Sequence, residues 1–110
     1  MRYRRLRAEE RRQVIVETGL RLCDDFNPPY SLLTRRSVAS ALGISEATIS
    51  RYFSVSDLRA EIMLTAIKRR NLAVVAQGLN TMDYTALRAP DDIKADALEY
   101  WDKFMRKLLL

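Results

Sequence analysis

Between Thr34 and Phe53 the chain reads TRRSVASALGISEATISRYF, and the side chains there that can do chemistry are short ones: Ser45, Glu46, Ala47, Ser50 and Arg51, with Thr48 alongside. At helical spacing they fall on one exposed ridge. Hydroxyls, a carboxylate and a guanidinium around an alanine supply hydrogen-bond donors and acceptors without bulk. That combination suits a helix laid into a DNA major groove, where the base edges present donors and acceptors of their own. The chemistry is recognition, not bond making.

Other chemistries lack their residues. The chain has no histidine and one cysteine, Cys23. Ser-His-Asp and Cys-His constellations are therefore excluded, as are histidine metal ligation, an intramolecular disulfide framework and a thiolate zinc site. Cys23 reads as a small helix-packing residue. The acidic pairs Asp24-Asp25 and Asp91-Asp92 are adjacent in sequence, so on a helix their carboxylates point about 100° apart; they fit helix ends better than a paired acid and base. No enzymatic activity, cofactor or metal is expected. Nor does any apolar run reach the length of a membrane span, and the arginine-rich start lacks a signal-peptide core, so a cytoplasmic protein is expected.

Two short helices must position the ridge. Val38, Ala39 and Leu42 give the first a buried face, with Ala39 small enough for a close helix crossing. Gly43 permits the positive φ of a sharp turn, and Ile44, Ile49 and Tyr52 or Phe53 bury the second helix. Thr34 or Ser37 caps the first helix and Ser45 the second, with Glu46 favourable in the opening turn. Ahead of the pair, helical periodicity begins near Ala8 with Ile15, Leu22 and Phe26 on one face, and Asn27-Pro28-Pro29 must end it. Behind it, one long helix is expected from Leu58 to about Gln77, stopping at Gly78. Asn80 to Pro90 is polar and turn-prone. A last helix starts near Asp91 and carries Ile93, Ala97, Trp101, Phe104 and Leu108 on a stripe. The fold class is all-α: a helix-turn-helix three-helix domain, a long connecting helix and a C-terminal helix.

The order of elements, and the string GISEATISRYF within it, resembles the DNA-binding domain of the tetracycline-repressor (TetR) family over residues of about 10 to 70. The matching positions are Gly43, Ile44, Ser45, Thr48, Ile49, Tyr52 and Phe53. The resemblance implies that Thr48 and Tyr52 contact phosphates while Ser45, Glu46, Ala47, Ser50 and Arg51 face the groove. Ala47 stands where the family has Gly and Ser50 where it has Tyr. The segment after Phe53 is one residue short and lacks the family's Lys, for which Arg51 and Arg59 are substitutes. Only about forty residues follow Arg70, too few to enclose a drug-sized cavity within one chain, so a small-molecule inducer is not expected.

Charge supports the same partner. Residues 1 to 70 hold fourteen Lys and Arg against eight Asp and Glu, net +6, whereas residues 71 to 110 are net −1. A basic half gains affinity for duplex DNA by releasing counterions from phosphates. Arg35 and Arg36 at the opening of the helix pair belong to the DNA-contacting set. So do Arg4 and Arg5 in the basic arm of residues 1 to 7, which is either a groove or phosphate contact or a solvated tail. In Lys68-Arg69-Arg70, three successive residues spread around a helix and most should be solvated. Residues 1 to 57 read as the basic arm and helix-turn-helix, and 58 to 110 as a helical dimerisation segment with Ile93, Ala97, Trp101, Phe104 and Leu108 at a homodimer interface. The expected function is a sequence-specific transcriptional regulator, acting as a repressor by occupying its operator; the alternative is a small helical protein-interaction module or adaptor without DNA binding.

Overall fold

The computed structural model describes residues 6–109, and among them the fold is all-helical with no strand. Seven helices follow in order: α1 (Ala8–Asp24), α2 (Arg35–Leu42), α3 (Glu46–Ser50), α4 (Val55–Lys68), α5 (Leu72–Asn80), α6 (Tyr84–Leu87) and α7 (Asp91–Leu109), with a 3-10 turn at Tyr30–Leu32 before α2. Arg4 and Arg5, and with them most of the basic arm, lie outside the described residues. No described helix is long and apolar enough to cross a membrane. Among the described residues no group of three or more His, Cys, Asp or Glu is placed to hold a metal ion.

Helix α1 opens where periodicity begins, with the Glu10 carboxylate accepting from the Arg7 amide at 3.3 Å. It ends at Asp24, before the prolines. Phe26 turns left-handed at φ 54° and the Asn27 amide returns to the Leu22 carbonyl at 2.9 Å, so the helix closes itself. Its inner face carries Ile15, Gly19 and Cys23, all buried. Burial pushes the Cys23 thiol up to about 12, which leaves it a packing group.

The expected long helix from Leu58 to Gln77 is two helices. The chain breaks at Arg69–Arg70, where Arg70 adopts φ 52°, and Asn71 caps α5 by accepting from the Val74 amide at 3.1 Å. Partners far away in sequence hold the break. Arg69 makes a two-pronged ion pair with Glu17 of α1, Arg70 donates to Asp96 of α7 at 2.8 Å, and the Asn71 amide group donates to Asp24 at 3.2 Å. Arg69 and Arg70 are thus paired rather than simply solvated. The Arg69 hydrogen bond also holds the Glu17 carboxyl below its usual range.

This break folds α5 back into the middle of the molecule, where Val74, Val75 and Ala76 are wholly buried. Helix α7 packs against it more extensively than any other pair of elements packs. Gly78 is therefore not a helix stop. It lies inside α5, and a Cβ added there would come within 2.7 Å of the Ala86 Cβ and collide with the Met63 side chain, so glycine is needed for close approach. The segment from Asn80 to Pro90 is less irregular than its composition suggests, because Asp83 caps the single turn of α6 and Ala86 and Ala89 are buried.

One buried polar group joins the two halves. Gln77 of α5 is 5 % exposed; its carbonyl accepts from the Tyr30 amide at 2.8 Å and its amide group donates to the Cys23 carbonyl at 2.9 Å. The Tyr30 ring is buried too. Its hydroxyl donates towards the Arg59 carbonyl and the Asp83 carboxylate, each 3.0 Å away, and desolvation drives its pKa well above the usual phenol range. The link that leads from α1 into α2 is thereby fastened to α4, α5 and α6. Gln77→Leu keeps most of the volume but strands the Tyr30 N–H, worth about 1–3 kcal/mol when left unsatisfied, while the Cys23 carbonyl keeps the Phe26 amide at 3.1 Å. The urea midpoint should fall accordingly; a stability within ~0.5 kcal/mol of wild type, the range of an ordinary surface substitution, would show that water or a shift of the link replaces the bond to Tyr30.

Candidate nucleic-acid interface

The turn between α2 and α3 is built by local chemistry. Thr34 is the cap: its hydroxyl accepts from the Ser37 amide at 3.2 Å while the Thr34 amide donates to the Ser37 hydroxyl at the same distance. Helix α2 stops at Gly43, which sits at φ 68°, and the Ile44 amide returns to the Ala39 carbonyl at 3.0 Å. Ser45 then caps α3 by accepting from the Thr48 amide at 3.2 Å, with the two hydroxyls 2.8 Å apart. Val38, Ala39, Ile49 and Phe53 are buried; Leu42, Ile44 and Tyr52 are half-buried. Ala39 and Ile49 therefore fill the roles their types suggest.

Helix α3 has five residues, too few to stand alone, so burial of Ile49 and Phe53 must hold it. Its opposite side is open. Glu46, Ala47, Ser50 and Arg51 are exposed, Ser45 is exposed at the start, and Thr48 is half-buried at the margin. The Ser50 hydroxyl donates to the Ala47 carbonyl at 2.9 Å. Glu46 faces Arg36 of α2 with 3.5 Å between carboxylate and Nε. The Arg51 side chain makes no hydrogen bond or ion pair with any described residue.

Three arginines converge on the end of α3. Arg12 of α1 donates to the Tyr52 carbonyl at 3.0 Å, and its guanidinium lies 4.4 Å from the centre of the Phe53 ring. Arg11 donates to the Tyr52 hydroxyl at 3.5 Å. Arg35 of α2 donates to the Phe53 carbonyl at 3.4 Å, and its Nε is buried without a partner among the described residues. These groups hold the Tyr52 and Phe53 carbonyls and the Tyr52 hydroxyl in the segment that follows α3, and they bring positive charge to that end of the helix. Sequence reasoning missed Arg11 and Arg12. A signal existed: two cations in the opening turns of α1 oppose its dipole, which points to partners elsewhere.

Other expected contacts are placed differently. Arg59 is half-buried: its guanidinium donates to the Ser31 carbonyl at 3.1 Å and lies 5.9 Å from the centre of the Tyr30 ring. It props the link before α2. Ile93 and Ala97, expected at a homodimer interface, are buried against this chain's own core. Trp101 and Phe104 are half-buried and gather around Phe26, with Phe104 stacked on it at 5.6 Å between ring centres. Of that stripe only Leu108 is openly exposed. The large apolar side chains α7 leaves exposed are Leu98, Tyr100, Leu108 and Leu109, of which only Leu108 belongs to the expected stripe. An open groove runs along α1 from Leu6 to Arg21. No family model, curated protein or solved structure matches the chain.

This geometry separates residues that hold the interface from residues that hold nothing. Ser45→Ala should destabilise the fold by about 1 kcal/mol through the lost cap, whereas Arg51→Ala should leave stability within ~0.5 kcal/mol, as for other surface changes. Chemical denaturation of both variants checks this. A loss above 1 kcal/mol for Arg51→Ala would make Arg51 a structural residue and remove it from the open face.

Proposed function

We propose that this chain is a sequence-specific DNA-binding regulator of the TetR type, a repressor that acts by occupying its operator. The observation that carries the reading is the exposed arc of α3. It is small and polar, it has no large apolar anchor of the kind that seats a protein partner, it carries Arg51 and faces Arg36, and the guanidinium groups of Arg11, Arg12 and Arg35 gather on the Tyr52–Phe53 segment that follows it. The net +6 on residues 1 to 70 supports it by supplying the electrostatic part of the affinity.

We further propose that the active form is a homodimer joined along the exposed apolar face of α7. Leu98, Leu108 and Leu109 are 50 %, 64 % and 82 % exposed. Acids dominate the first half of α7 (Asp91, Asp92, Asp96, Glu99) and bases the last turns (Lys103, Arg106, Lys107). Two such helices attract each other when antiparallel, an arrangement a two-fold axis provides. The buried Ile93 and Ala97 have no part in it. The protein-interaction alternative would draw on the same apolar face of α7, with α3 idle.

Selection from randomised duplexes, followed by anisotropy titration at several salt concentrations, tests the reading. The expected result is a recovered inverted repeat whose half-sites lie about one helical turn (~34 Å) or a multiple of it apart, bound with a log-log salt slope on the order of −0.9 per phosphate contacted. Recovery of no enriched sequence, or binding that ignores salt, would contradict it.

A further inference from the structure

Hydrogen-bonding capacity is unevenly spread over the exposed arc of α3. Ala47 has none. The Ser50 hydroxyl donates to its own helix, and the hydroxyls of Ser45 and Thr48 are 2.8 Å apart and engaged at the cap. Only Glu46 and Arg51 carry polar groups on side chains long enough to leave the helix. Arg51 continues the helical backbone at φ −66° and ψ −25°, so ideal geometry applies across the pair. Five residues put them about 7.5 Å apart along the axis and about 140° apart around it, at the two edges of the arc. Between them Ala47 and Ser50 leave space for close approach.

A carboxylate on a face offered to a polyanion is repelled by phosphate, and α3 could open with a neutral residue. Glu46 is nevertheless there, its side chain 44 % exposed, and Arg36 of α2 stands 3.5 Å from it. The pair offsets the charge locally and leaves carboxylate lone pairs facing outward. In the major groove such lone pairs find a donor at cytosine N4, whose own base edge carries no acceptor, whereas adenine N6 sits beside the N7 acceptor of the same base. A guanidinium finds its two-pronged partner at guanine O6 and N7.

We infer that Glu46 and Arg51 are the specificity-determining residues of this interface, Glu46 accepting from a cytosine amino group and Arg51 donating to a guanine about two base pairs away, with Arg36 as the residue that positions Glu46. The spacing follows from 7.5 Å along the helix against ~3.4 Å per base pair. The inference rests on the DNA-binding reading of α2 and α3.

The test is selection from randomised duplexes by wild type, Glu46→Gln and Arg51→Ala in the full chain. Glutamine both donates and accepts, which matches adenine N6 and N7. Wild type is expected to select cytosine at one position of each half-site. Glu46→Gln should replace it with adenine there, discriminating on the order of tenfold or more, and leave the rest of the site unchanged. Arg51→Ala should release selection at a guanine two base pairs away. A motif that Glu46→Gln leaves unaltered overturns the inference while DNA binding stands, and Glu46 is then only a favourable first residue of α3. If wild type selects no duplex, the DNA-binding reading falls and the inference falls with it.

Discussion

The placement of α2 and α3 depends on one buried amide. The link from α1 to α2 runs through Pro28 and Pro29, which donate no backbone hydrogen bonds, and its own turns, Leu32 to Pro29 and Leu33 to Tyr30, leave the Tyr30 amide open. Gln77 supplies what is missing by pairing with the Tyr30 amide on one side and the Cys23 carbonyl on the other. Gln77 is on α5, and α5 reaches the centre only because the chain breaks at Arg69–Arg70. The near-neutral second half of the chain thus sets the position of the basic first half. Its work in this fold is support.

From that constraint the candidate interface follows in steps. With α2 fixed, Gly43 and Ser45 turn the chain into α3, and burial of Ile49 and Phe53 docks a helix that could not persist alone. The arginines then have two roles. Arg12 and Arg35 hold the Tyr52 and Phe53 carbonyls just after α3, and their charge stays at that end of the helix. The proposed DNA contact and the stability of its platform accordingly draw on the same guanidinium groups. Arg51 is different: little in the fold depends on it, so its chemistry is available to a partner, while Arg36 is turned to Glu46.

The helix-turn-helix was legible in sequence because local chemistry determines it. The cap at Thr34, the left-handed Gly43, the cap at Ser45 and the buried Ile49 involve residues within a few positions of one another. The break after Lys68 was not legible, since helical periodicity continues through it and the deciding partners, Glu17, Asp24 and Asp96, lie tens of residues away. The packing of Arg59 was not legible for the same reason, because its position after the pair suggests phosphate and does not reveal its contacts with Ser31 and Tyr30. On α7 the apolar arc is wider than one stripe, and periodicity alone could not tell whether Ile93 and Ala97 or Leu98 and Leu109 met the core. Packing against α5 decided that.

The central claim is that the exposed arc of α3, with arginines gathered at its end, is the surface that meets DNA. Amide chemical-shift mapping of the labelled protein titrated with a selected duplex tests it most directly. The account predicts the largest shifts at Ser45, Glu46, Ala47, Ser50 and Arg51, weaker ones at Arg11, Arg12 and Arg35, and none along Leu98 to Leu109 beyond those of the free protein. Shifts confined to α7, or an α3 left unperturbed at saturating duplex, would contradict it.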